Sequence, residues 1–204
     1  KDIYELRAYL QETKLAHSVA HASYAVNGKL KQQHLEKLIL LFDVFESVNG
    51  GRNSLNNLGW KHILDHLDAE LINSLYQKHR IQPASADPWI KGFTGGSDDH
   101  AGIFVGSTFT QARAANGEEF LNAIRSKKSV GIGRNNDFHS LAFTIYKIAY
   151  DFSRQQSGRK KEAPLLNSVT EALFENRGLE WGDKLKIKTL KGIADLRGNE
   201  LKRN

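Results

Sequence analysis

The sequence contains no cysteine, which excludes disulfide cross-links and all thiolate chemistry, nucleophilic or metal-binding. It contains no methionine, so a chain opening at Lys1 is expected to be processed or truncated relative to an initiator. Long apolar runs are absent too. The longest, residues 38–42, is a core segment far too short to span a bilayer. The opening residues read as helix and not as a secretory leader. Together these absences lead us to expect a cytoplasmic protein without a membrane span. No stretch interleaves aromatic and basic residues as nucleic-acid recognition motifs do, so nucleic acid ranks last among partners despite the basic charge.

What is present is ordinary for a globular chain: 204 residues, 40% of them hydrophobic and 25% charged. The net charge of +6 is unevenly spread. Arg154, Arg159, Lys160, Lys161 and residues 184–191 gather base toward the end, a pattern that is most simply a solvated helical face.

Apolar spacing predicts helices over residues 2–14, 35–42, 55–79, 118–127 and 137–153, and buried strands over 15–21, 44–48 and 93–98, with a further strand at 129–132. Asn27-Gly28 and Asn49-Gly50-Gly51 punctuate these segments, and residues 83–88 form a loop. The polar stretch 155–163 reads as a linker between a main unit, 1–154, and a helical tail, 164–204. Strands alternating with helices indicate an α/β fold with a parallel sheet, whose chemistry gathers at the C-terminal strand ends. His21, Glu46, Asp98 and His100 all fall at such ends.

Asp98-Asp99-His100 follows two glycines, and an Asp and a His two apart can turn toward one divalent ion. Glu46 ends an apolar strand and needs a partner there, from a metal shell or from Arg52. His17 reads as a hydrogen-bonded core histidine. His62 and His66 have zinc-like i, i+4 spacing, but Ile63 stands where a metalloprotease has its glutamate, so they read as exposed helix residues. Asp137-Phe138-His139 opens a helix, which gives Asp137 the ordinary role of a cap.

Three segments together resemble the PHP (polymerase and histidinol phosphatase) domain family. Ala20-His21-Ala22 resembles its Ala-His-Pro strand end, with Ala22 in place of proline. Glu46-Ser47-Val48-Asn49 resembles its Glu-x-x-Asn strand, and Gly96-Ser97-Asp98-Asp99-His100 its closing Gly-Ser-Asp-x-His. Residues 141–150 are similar to a segment of a bacterial subgroup linked to glycosyltransferases. The resemblance covers about residues 1–153.

It implies part of a distorted (β/α)7 barrel, followed here by the helical appendage. It also implies a cluster of two or three zinc, manganese or iron ions with His21, Asp98 and His100 among the ligands, and Glu46 beside the cluster. The family's opening His-x-His motif is not in these residues, so the resemblance places Lys1 at the second half of such a domain. The implied activity is metal-dependent hydrolysis of a phosphorylated small molecule, with Arg52 and Arg134 as candidate phosphate clamps. The alternative is a non-catalytic module serving a partner such as a glycosyltransferase.

Overall fold

A computed structural model describes residues 2–25 and 28–156, together with 181, 182, 184 and 188. The chain divides into two compact units, Lys1–Thr144 and Ile145–Asn204. Nearly all of the expected tail, 164–204, and of the linker, 155–163, lies outside the described residues.

The first helix, α1 (Ile3–Thr13), starts at a capping box in which Asp2 accepts from the Tyr4 and Glu5 amides. Helix α2 (Gln32–Leu41) leads into strand β1 (Val44–Asn49), and two helices, α3 (Ser54–Asp65) and α4 (Ala69–His79), follow. The sequence predicts one helix over 55–79. Asp68 splits it, because its side chain accepts from the Leu71 amide and caps a new helix. Strand β2 (Gly92–Gly96) pairs parallel with β1. Strands β3 (Thr108–Gln111) and β4 (Val130–Gly133) form a separate antiparallel pair, with α5 (Gly117–Arg125) between them in sequence. Helix α6 (Phe138–Gln156) follows, and Asp137 accepts from the Ser140 amide as an N-terminal cap should.

The protein is thus mixed α/β, and the described strands form two small sheets and no closed barrel. Two strand expectations need correction. Residues 15–21 do not form a strand: only Val19 bridges to Phe45, and the chain turns from Ala20 to Ser23. β3 was not anticipated, since four residues with two threonines and a glutamine carry no apolar alternation.

The core lies between α2, α3, α4 and β1. Phe45 and Leu40 are wholly buried, and Trp60 meets Phe45 edge to face at 5.8 Å between centroids. Residues 38–42 feed this core, as their sequence predicts. The two sheets approach much closer than layers separated by side chains. A Cβ on Gly131 of β4 would stand 2.4 Å from the Thr94 carbonyl oxygen of β2. Gly131→Ala therefore forces the sheets apart and is expected to lower stability by roughly 1–3 kcal/mol, the usual range for overpacking. Urea unfolding checks this, and an unchanged midpoint would contradict the close contact.

Candidate functional site

Parallel pairing puts the C-terminal ends of β1 and β2 side by side, and the loops that follow are tied together when the Gly50 amide donates to the Gly96 carbonyl at 2.8 Å. Strand alternation alone would put Glu46 and Asn49 on opposite faces. A bulge at Ser47 breaks that alternation, because Glu46 pairs with Thr94 and Val48 with the next residue, Gly95. Asn49 Nδ2 then donates to Glu46 Oε2 at 2.8 Å, and the His21 amide donates to the same oxygen at 2.7 Å. Gly96 completes the seat, since a Cβ there would stand 2.6 Å from Glu46 Oε1.

Glu46 thus has partners, but Arg52 is not one of them. Arg52 turns instead to Asp98, with Nη2 to Oδ2 at 3.3 Å, and its guanidinium lies 3.3 Å from the centre of the Tyr24 ring. Asp98 sits in the left-handed region at φ 47°, a conformation that Asp tolerates better than most residues. Its other oxygen is 3.4 Å from His100 Nε2, and the His100 side chain is 77% exposed. His21, also at positive φ (30°), packs edge to face with Tyr24 at 6.2 Å between centroids. The order His21, Tyr24, Arg52, Asp98, His100 therefore traces one continuous line across the strand ends.

Asparagines fix the loop after β1. The side chain of Asn57 pairs with both main-chain groups of Asn49, at 3.1 and 3.0 Å, and also donates to Asn135 Oδ1 at 2.6 Å. The Asn136 amide donates to the Arg52 carbonyl at 2.7 Å. These contacts bring residues 134–136 against the Arg52 loop. Arg134 itself points to the neighbouring loop, stacking on Phe104 at 4.1 Å and donating to the Ser140 hydroxyl. Asp99 is structural: it accepts from the Ala101 and Phe104 amides and shapes the loop that carries Phe104.

A cleft of about 20 Å3 lies among His21, Tyr24, Glu46, Asn49, Arg52 and Trp60. Arg52 Nε and Trp60 Nε1 are both buried donors without an acceptor. The space suits about one water molecule, which such orphaned donors call for.

Among the described residues, no three His, Asp or Glu side chains stand around one point as a metal site requires. Carboxylate and imidazole on one loop are the right chemistry for a divalent ion, and Asp98 with His100 is the nearest pair. The number of donors is short, and Arg52 holds one oxygen of Asp98. His62 and His66 stack at 4.0 Å at the end of α3, and both are exposed.

Sequence reading missed the parts played by Tyr24, Asn57, Trp60 and Asn136. The run Asn53-Ser54-Leu55-Asn56-Asn57 was a usable signal, since an asparagine buried within a helix needs partners outside it. Compared with protein-family models, characterised proteins and solved structures, the chain matches none of them.

Proposed function

We propose that the strand-end loops belong to a metal-dependent phosphoesterase of the PHP kind. The observation that carries this reading is the Tyr24–Arg52–Asp98–His100 line at the C-terminal ends of two parallel strands. Arg52 is a pre-oriented cation with donors to spare, suited to a phosphoryl group. His100 is exposed enough to meet a ligand from solvent. His21, Asp98 and His100 would enter a set of zinc, manganese or iron donors completed by further residues. Bound divalent ions supply acidified water and charge to offset the phosphoryl oxygens. Arg134, held on Phe104, would join Arg52 only for a substrate long enough to reach the adjacent loop.

The test is hydrolysis of a generic aryl phosphate by the complete protein with its full donor set, with manganese, zinc or iron added in turn and metal uptake followed by equilibrium dialysis. Metal-dependent turnover is expected. A second reading, a non-catalytic module that binds a partner such as a glycosyltransferase, is favoured by one observation: Arg52 already neutralises Asp98. A folded, complete protein that takes up no metal and turns over nothing would replace the first reading with the second.

A further inference from the structure

At the opposite end of β1, where the strand begins at Val44, lies a cleft of about 220 Å3, an order of magnitude roomier than the strand-end cleft of about 20 Å3. Leu10, Leu41 and Phe42 give it an apolar wall, and the polar lining is cationic: Arg7, Lys14 and Arg125, with His17 beside them. The cleft is built from fixed parts. Arg7 Nη2 donates to the Pro83 carbonyl at 3.1 Å, which leaves its buried Nε without an acceptor. Arg125 Nε donates to the Lys14 carbonyl at 2.8 Å and so ties α5 to the end of α1. His17 Nδ1 lies 2.8 Å from the Leu15 carbonyl, which makes Nδ1 the protonated nitrogen and leaves Nε2 free as an acceptor when the ring is neutral.

The charges are unbalanced toward the cleft. Asp43 lines it, but Lys91 and Lys127 approach the same Asp43 oxygen at 3.5 and 3.7 Å. Arg125 is partly matched by Glu118 at 3.0 Å. Among the described residues, Arg7 and Lys14 have no carboxylate partner. Two cations without a carboxylate partner, Arg7 and Lys14, beside an apolar wall together select a ligand with an anionic head and a small apolar body. Arginine's planar fork accepts carboxylate and phosphate oxygens alike, and a phosphate head, with a charge of about −2, answers both uncompensated cations, Arg7 and Lys14, where a carboxylate answers one. The volume falls just below the usual range for small-molecule sites and fits a single ring.

We propose that this cleft binds a small phosphate monoester, separately from the strand-end loops and without depending on any activity there. The probe is phenyl phosphate, titrated calorimetrically into the full chain carrying Arg52→Ala, so that the strand-end cation cannot account for binding. Saturable binding is expected to persist in that background. Adding Lys14→Glu at this exposed position, with circular dichroism as the fold control, is expected to weaken it about tenfold or more, the scale of one lost charge-assisted contact. Arg7→Gln should act in the same direction. No saturable binding in the Arg52→Ala chain, or binding that Lys14→Glu leaves unchanged, would overturn the proposal.

Discussion

On the proposed phosphoesterase reading, removing the Asp98 carboxylate is expected to lower phosphate-ester hydrolysis on the order of a hundredfold or more, because it takes away a proposed metal donor and the group that positions Arg52 and His100. Asp98 holds Arg52 at 3.3 Å through one oxygen and stands 3.4 Å from His100 through the other. Without it, the guanidinium keeps only its stacking on Tyr24, and the imidazole on its exposed loop loses its anchor. The choice of variant matters. At φ 47°, alanine adds backbone strain of about 1 kcal/mol that asparagine largely avoids. Asp98→Ala thus mixes a folding penalty with a chemical one. Asp98→Asn keeps the conformation and the shape while removing the charge, and it isolates the effect on turnover. The measurement is the rate on an aryl phosphate with added metal, with circular dichroism for the fold. A folded Asp98→Asn protein with full activity would falsify a role for Asp98 in the reaction.

The largest stability effect is expected at Lys91, whose side chain is completely buried. Its ammonium donates to the carbonyls of Ile39 and Phe42 at 2.7 and 2.8 Å, where α2 ends and acceptors are left without helical partners. A cation is also favoured at that end by the helix dipole. Lys91→Met would leave the two carbonyls and Asp43 short of a partner, and stability is expected to fall by about 3 kcal/mol, in the range for breaking a buried charged contact.

Burial lowers the Lys91 pKa to about 8, against the partial opposition of Asp43. The unfolded chain keeps its proton up to about pH 10.4, so between roughly pH 8 and 10.4 it binds more protons than the folded one. Stability from this group therefore rises with pH across that window, by at most about 1.4 kcal/mol per pH unit. Below pH 8 the penalty for burying the charge is constant. Other groups titrate in the same range, so the readout is the difference in slope between the native protein and Lys91→Met. Identical slopes would show that Lys91 does not titrate there.

Much of this arrangement was legible in the sequence, and the rest was hidden for definite reasons. The capping role of Asp137, the core run 38–42 and the placement of Asp98 just past a strand end follow from local pattern, whereas Glu46, expected at a strand end, lies in the middle of β1 because that strand runs on to Asn49. The partner of Glu46 does not follow from local pattern either. A bulge at Ser47 turns Asn49 onto the face of Glu46, and no spacing rule announces a bulge. The stretch 15–21 reads as a strand because it is mostly apolar, yet pairing reaches only one bridge before the chain turns. Lys91 looks like any surface lysine until tertiary packing closes over it. Arg52 and Asp98 are 46 residues apart, and only the parallel pairing of β1 and β2 makes them neighbours.

The contact between Gly131 and the Thr94 carbonyl has a consequence for how much change the chain can absorb. Between that contact and the Asn136 amide bonded to Arg52 run only four residues of backbone, clamped at both ends. Such a span works as a gauge block: its length sets where the Arg52 loop stands. Substitutions on its outward side chains leave the gauge unaltered, whereas adding or deleting a single residue within it shifts the Asn136 amide away from the Arg52 carbonyl.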